Sequence, residues 1–85
     1  MRVQVKQAHI DAGIPRHASY CPIALALKEQ TGELWTVTDD VAYPDKLTAP
    51  LGELPVQVRE FILAFDTGEP VQPFEFELEE ICVSS

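Results

Sequence analysis

The sequence predicts a small α+β fold, in which a mostly antiparallel sheet of three to four strands carries two main helices on one face. Alternating apolar and polar residues near both ends of the chain indicate strands. The apolar stretch PIALAL (residues 22–27) indicates a helix at residues 20–31, and an apolar stripe with helical spacing indicates another at residues 55–66. Because strands and helices are interspersed over only 85 residues, we expect one compact domain over residues 1–85.

The N-terminal third is expected to contain a strand, a helical turn and a buried helix. Residues 2–6 alternate in the manner of a half-buried strand. Residues 7–12 fit one short helical turn that ends at Gly13 in a left-handed conformation. The helix at residues 20–31 is expected to start after an N-cap at Ser19, with Pro22 in its first turn. Since apolar residues surround almost all of its first half, we expect it to be the most buried element.

The middle of the chain is predicted to form short strands. Residues 34–38 are rich in aromatic and β-branched side chains, which is typical of a strand. Residues 41–43 can continue this ribbon, and residues 46–51 can return antiparallel to it. Pro44 and Pro50 restrict both segments to edge or irregular positions, since proline lacks a backbone N–H.

The last helix and the last strand have the clearest patterns. Apolar residues recur at helical spacing over residues 55–66, and Gly68 and Pro70 end this helix. From Phe74, apolar residues alternate with glutamates in a strand that is expected to extend to Val83 after a switch at residues 79–80. Glutamates on one exposed strand face repel each other unless cations lie opposite. Because residues 2–6 carry the outward-facing cations, we expect the first and last strands to be neighbours.

The chain is strongly acidic, with a formal charge of −8 and a pI near 4.4. Residues 1–30 hold four cations and two acids, whereas residues 31–85 hold two cations and twelve acids. This balance argues against direct binding to nucleic acid or to an anionic membrane, and it favours a protein partner with a basic groove. The sequence contains no apolar segment of transmembrane length, no signal-peptide pattern and only two cysteines, so we expect a cytoplasmic protein with reduced thiols.

The candidate partner-binding residues are the acids of the C-terminal strand and of the predicted turn in the middle of the chain: Glu75, Glu77, Glu79, Glu80, Asp39 and Asp40. Alternate carboxylates along a strand recur every ~6.6 Å, which is on the scale of phosphate spacing along a nucleic-acid strand. Such a stripe can occupy a basic groove that normally holds DNA or RNA. An ordinary solvated strand face that resists aggregation is the alternative interpretation.

Catalytic or metal-binding chemistry has one local candidate, the group of His9, His17 and Cys21. His17 and Cys21 are four positions apart, a spacing that lets two side chains on a helix reach one ion, but a structural zinc site needs four ligands. Cys21 at a helix start can have a lowered pKa and act as a nucleophile. A cysteine packed as a small hydrophobe beside two exposed histidines is the alternative. We expect no enzymatic activity, no cofactor and no metal site.

The segments HIDAG (residues 9–13), CPIALAL (21–27), FILAFDTG (61–68) and PFEFEL (73–78) resemble short hypothetical proteins encoded by tailed phages and prophages. The similarity extends over nearly the whole chain and concerns the fold more than an active site. Some of those proteins have a second cysteine near the Cys-Pro step. Ala18 occupies the equivalent position here, which disfavours zinc binding.

The charge and this resemblance together predict a small phage-type accessory protein that acts through an acidic surface. It would bind and inhibit a host or bacterial-defence protein complex, as an anti-CRISPR protein or a related inhibitor does. A homodimeric structural or regulatory module of the phage lifecycle is one alternative, with an exposed strand edge or an apolar patch as its interface. A metal- or thiol-dependent protein centred on Cys21 is the other.

Overall fold

The computed structural model describes residues 2–38, 41–44 and 51–81, with the backbone alone at Leu51, Glu80 and Ile81. These residues form an α+β fold, which confirms the predicted class. In chain order, the elements are β1 (Arg2–Val5), α1 (Gln7–Ala12), α2 (Pro22–Thr31), β2 (Trp35–Val37), β3 (Val41–Pro44), β4 (Leu51–Glu53), α3 (Val56–Asp66), β5 (Phe74–Glu77) and β6 (Glu79–Ile81).

The strands form two antiparallel sheets, where the sequence pattern predicts one. The first sheet is the two-stranded ribbon β1–β5, and the other has four strands in the order β2-β3-β4-β6. The expected continuous C-terminal strand is divided at Leu78, because β5 pairs with β1 whereas β6 pairs with β4. Exposed and buried residues nevertheless alternate without a break from Glu75 to Glu79. Alternation reports the buried face of a strand and not its partner, which explains why the sequence did not reveal the division.

The ribbon β1–β5 joins the two ends of the described chain. Arg2 lies opposite Glu77 and Gln4 lies opposite Glu75, which confirms that the first and last predicted strands are neighbours. The intervening residues Val3 and Phe76 face each other and are buried. One face of the ribbon therefore belongs to the core, and the other carries charged and amide side chains.

Two glutamine side chains reach the outer edges of this ribbon. Gln30 of α2 donates a hydrogen bond from its amide to the carbonyl of Arg2 on β1. Gln57 of α3 donates one to the carbonyl of Glu75 on β5, at 3.3 Å. These two hydrogen bonds attach α2 to β1 and α3 to β5.

The four-stranded sheet places β3 between β2 and β4. The expectation that residues 41–43 lie at an edge is therefore wrong. Pro44 is tolerated because it is the last residue of β3, where it lies opposite Trp35 of β2. Residues 45–50, which include most of the predicted return strand and Pro50, lie outside the described residues. The strand that pairs antiparallel with β3 is β4, which begins at Leu51, the last residue of the predicted segment.

Helix α2 has more buried residues than α1 or α3, and it begins two residues later than expected. Its N-cap is Cys21 and not Ser19, and the Cys21 Sγ atom accepts a hydrogen bond from the backbone N–H of Ala24 at 3.4 Å. Pro22 occupies the first helical position, where a missing N–H has no cost. The backbone of Gly32, at φ +79°, ends the helix.

Gly13 does not adopt the predicted left-handed conformation, since its φ is −68°. The chain leaves α1 in an extended conformation and passes against the start of α2. A Cβ atom at position 13 would lie 2.7 Å from two ring carbons of Pro22. Close approach of the chain to Pro22, and not a positive φ, is what requires glycine here.

The hydrophobic core combines residues from both sheets and from helices α2 and α3. Its fully buried large side chains include Val3, Ile23, Leu27, Leu54, Val58 and Leu78. Trp35 is also buried, and its indole N–H donates to the Thr31 hydroxyl at 2.8 Å. Phe61 of α3 contacts Phe74 of β5, with their ring centroids 4.7 Å apart, so α3 is attached to the ribbon through aromatic packing.

Candidate protein-binding surface

The fold distributes the candidate acidic residues over two strands. Glu75 and Glu77 lie on the exposed face of β5, and Glu79 and Glu80 lie in β6. Glu80 pairs through its backbone with Gly52. Asp39 and Asp40, at the predicted turn, lie outside the described residues. The stripe expected from the sequence is thus carried by two strands in two different sheets.

The β5 part of this stripe is held by partners within the chain. The Arg2 guanidinium lies 3.2 Å from a Glu75 carboxylate oxygen and 3.8 Å from one of Glu77. The Gln4 side-chain amide donates to the other Glu75 oxygen at 2.8 Å. The hydrogen bonds from Gln4 and Arg2 lower the pKa of the Glu75 carboxyl from its ordinary value. Part of the negative charge on β5 is therefore compensated inside the molecule.

This arrangement predicts an acid-dependent loss of stability that involves Glu75. Because its pKa is lowered in the folded protein, the contribution of Glu75 is fully present above the unfolded-state pKa and is lost as the pH falls through the folded-state pKa. Urea unfolding should show Glu75→Gln as less stable than the wild-type chain at pH 7, with the difference disappearing under acid conditions. Glu69→Gln removes an exposed carboxylate without a described ion pair and serves as the control. A Glu75→Gln difference that persists unchanged in acid would contradict the prediction.

An open cleft of about 460 Å³ lies beside the β5–β6 junction and the start of α3. Glu53, Glu77 and Glu79 line it together with Arg59 and Gln57. We refer to it as the acidic cleft, because three carboxylates outnumber one guanidinium. It brings together residues from β4, β5, β6 and α3 that are far apart in the sequence.

Two carboxylates of the acidic cleft lie opposite each other in the four-stranded sheet. Glu53 of β4 lies opposite Glu79 of β6 in the sheet register, and both side chains are exposed. Within residues 2–38, 41–44 and 51–81, neither of them has an ion-pair partner. Like charges directly opposite each other destabilise a sheet. Among the described residues, the register thus places two negative charges side by side at the open cleft, which Arg59 also lines.

Sequence reasoning identified Glu77 and Glu79 but missed Glu53 and Arg59. Glu53 is isolated in the sequence, and only the pairing of β4 with β6 places it beside Glu79. Arg59 lies on the predicted polar side of α3, but no local sequence pattern indicates that this side is close to β6. The missing signal is strand pairing over long sequence separation, which periodicity does not encode.

The group of His9, His17 and Cys21 does not form a common site. His9 is buried at α1, where its Nδ1 atom accepts from the backbone N–H of Lys6 at 2.9 Å. Its Nε2 atom therefore carries the hydrogen and donates to the Glu29 carboxylate, which also lies 3.6 Å from the Lys6 ammonium. These contacts attach α1 to α2. The hydrogen bond from His9 is the main cause that lowers the pKa of the Glu29 carboxyl, and the positive charge of Lys6 lowers it further.

Cys21 and His17 line a smaller cavity of about 160 Å³ next to Arg16 and Asp66. Burial raises the pKa of the Cys21 thiol, and the negative charge of Asp66 adds to this effect. A nucleophilic cysteine needs the opposite change, because the thiolate is the reactive form. The His17 ring packs edge-to-face on Tyr20 with centroids 4.8 Å apart. The surroundings of Cys21 thus match the interpretation as a packed hydrophobe, but His9 is buried in α1 and not one of two exposed loop histidines as expected.

In the part of the chain that the structure describes, no group of three or more histidine, cysteine or acidic side chains is arranged to hold a metal ion. Cys82 lies outside those residues. None of the described helices combines the length and the apolar character that crossing a membrane requires. Comparisons with known proteins found no matching family model, no matching curated protein and no matching solved structure.

Proposed function

We propose that this chain is a small inhibitory binding protein that docks its acidic surface into a basic groove of a nucleic-acid-binding protein complex. The class of protein is the phage-type accessory factor that the sequence resembles, and its targets would be host or bacterial-defence complexes in the host cytoplasm. The acidic cleft supplies the contact surface, with Glu53, Glu77 and Glu79 as the residues that meet basic side chains of the partner.

The opposed carboxylates of Glu53 and Glu79 are the observation that carries this proposal. In the free protein they repel each other, since both are exposed and lack a described counter-ion. An arginine or lysine side chain of a partner that enters the cleft would lie near both carboxylates and relieve this repulsion. The gain is specific to the bound state, so it contributes to affinity without adding to the stability of the free chain.

The acidic cleft also supports the proposal better than the stripe of glutamates that the sequence predicts along the last strand. Arg2 and Gln4 already engage Glu75, so a partner that binds there must displace or share these contacts. Arg2 also lies 3.8 Å from Glu77 of the cleft, but the cleft is open and spans three strands and one helix. A concave acidic surface of this kind complements a protruding basic side chain on the wall of a nucleic-acid-binding groove.

Capture from bacterial lysate tests the proposal when two double variants of equal charge are compared. Nuclease-treated lysate is passed over the immobilised wild-type chain, and bound proteins are eluted with salt steps and then with duplex DNA. The wild-type chain should retain a nucleic-acid-binding protein that DNA releases. Glu53→Gln combined with Glu79→Gln should reduce its recovery at least about tenfold, because steering by charge and the contact itself are both lost.

The matched control is Asp11→Asn combined with Glu69→Gln, which removes the same charge from exposed positions outside the cleft. Its recovery of the partner should stay near the wild-type level. Thermal unfolding should show that the Glu53 and Glu79 variant is at least as stable as the wild-type chain, because a like-charge pair is removed. The proposal would be contradicted if both double variants lost partner recovery equally, or if DNA released no protein from the wild-type chain.

A further inference from the structure

The loop between α1 and α2, residues 13–20, holds a strained residue in a fixed position. Arg16 has a φ of 61°, the only positive φ of a non-glycine residue in the described ranges. A side chain disfavours this left-handed conformation, so surrounding contacts must maintain it. The Arg16 backbone N–H donates to the Asp66 carboxylate of α3 at 2.9 Å. The Ala18 carbonyl accepts from the Val37 N–H of β2 at 2.9 Å, so two other elements hold the loop.

This loop presents side chains of the kinds that protein interfaces use. Ile14 is 48% exposed and Tyr20 is 42% exposed. Arg16 is exposed as well, and its guanidinium forms no ion pair within the described residues, although Asp66 binds its backbone N–H. Arginine and tyrosine are enriched among the residues that contribute most to binding between proteins. A loop that is held in one conformation beforehand also loses little conformational entropy when it binds.

The exposed face of α3 connects this loop with the acidic cleft. Val56 and Arg59 line the cleft at the start of the helix, and Asp66 holds the loop at its end. At 100° per residue, these three residues and Leu63 lie within about 80° of the helix circumference. The helix rises about 15 Å from Val56 to Asp66. The cleft and the loop are therefore the two ends of one surface.

Exposed apolar side chains are concentrated along this surface. Within the described ranges, five large apolar side chains are exposed, and four of them lie on α3 or in the loop. Val56 is 65% exposed and Leu63 is 68% exposed, and Ile14 and Tyr20 follow in the loop. The fifth is Leu34, which follows α2, whereas the loop precedes that helix. A group of exposed apolar side chains beside polar residues is typical of an interaction site.

We propose that the partner of the acidic cleft also binds this extended surface, with apolar side chains on Leu63 and Tyr20 and a carboxylate paired with Arg16. This proposal rests on the proposed function and adds the chemistry of the partner. The basic groove would carry on its rim an apolar patch and an acidic side chain, about 15 Å from the basic side chain that enters the cleft. One exposed cation on a chain of charge −8 does not attract nucleic acid, so a protein carboxylate and not a phosphate is the expected counter-ion.

Arg16→Asn tests the carboxylate contact through the sign of its effect. Asparagine tolerates the left-handed conformation, so thermal unfolding should show a variant at least as stable as the wild-type chain. The substitution also makes the chain more acidic, which would strengthen its attraction to a basic groove if the acidic cleft were the only contact. We expect the opposite result, a Kd raised at least about fivefold, because the ion pair is lost. Biolayer interferometry at physiological ionic strength measures this Kd with the purified protein that DNA releases from the wild-type chain.

Two matched comparisons make the result specific. Lys28→Gln removes the same charge from an exposed position of α2 and should leave the Kd unchanged or lower it. Leu63→Gln should raise the Kd at least about fivefold, since an apolar contact is lost from the centre of the surface. Leu34→Gln makes the same change at the exposed leucine outside the surface and should leave the Kd unchanged.

The outcomes separate this proposal from the function on which it rests. An Arg16→Asn variant that binds as tightly as the wild-type chain, or more tightly, would overturn the extended surface. Equal Kd values for Leu63→Gln and Leu34→Gln would do the same. In either case, weaker binding by the Glu53 and Glu79 double variant would still support the acidic cleft. A wild-type chain that retains no DNA-released protein would overturn both proposals.

Discussion

Replacing Phe61 by alanine is expected to lower the free energy of unfolding by about 3–5 kcal/mol, which is a large part of the stability of a domain of this size. The Phe61 ring is buried and contacts both Phe65 of its own helix and Phe74 of β5. Its removal takes apolar area out of the core and leaves a cavity between α3 and the ribbon β1–β5. Urea unfolding followed by circular dichroism measures the loss.

Two comparisons identify the cause of this loss. Phe65→Ala removes the same ring at a half-buried position of the same helix and should cost less. Phe61→Leu keeps much of the volume and should recover part of the lost stability. Equal losses at positions 61 and 65 would show that burial against β5 does not decide the effect.

Replacing Gly52 by alanine is expected to destabilise the chain by about 1–3 kcal/mol, although alanine is ordinarily preferred to glycine within a strand. A Cβ atom at position 52 would lie 2.5–2.6 Å from three carbon atoms of the Leu78 side chain. Leu78 is buried in the core with only 1% of its surface exposed, so it has little room to move. The crowding forces β4 and the β5–β6 junction apart, and thermal or urea unfolding measures the result.

A double-mutant cycle separates this crowding from any other effect of the alanine. Leu78→Ala alone should cost about 2–5 kcal/mol, because a large buried side chain is lost. In that background the methyl group at position 52 enters space that the leucine has vacated. The double variant should therefore be more stable than the sum of the two single losses implies. Additive losses would show that Leu78 is not the source of the strain at Gly52.

The local structure of this protein can largely be predicted from its sequence. The pattern predicts helix α3 at residues 55–66, and the helix occupies Val56–Asp66, because its apolar stripe and the terminating glycine Gly68 both act within a few residues. Gly68 has the expected positive φ of 84°. The pairing of β1 with β5 can also be predicted, since the positive charge of Arg2 complements the negative charges of the β5 glutamates.

What the sequence could not reveal depends on contacts between distant segments. The division at Leu78 changes the strand partner without disturbing the alternation of buried residues, so no local pattern records it. Only part of the acidic cleft can be predicted, for the same reason. Glu53 lies beside Glu79 only because β4 pairs with β6. The Gly13 prediction fails since the relevant contact is with Pro22, in the next helix.

The pairing of β1 with β5 has a consequence for how the chain folds during synthesis. Arg2 and Glu75 are 73 positions apart, so β1 leaves the ribosome long before its partner strand exists. At the usual elongation rate of about 5–20 residues per second, this interval is roughly 4–15 s. Through that time Val3 and Val5 lack their respective partners, Phe76 and Phe74. Closing a loop of this length also carries an entropy cost, so we expect the ribbon to form late in folding.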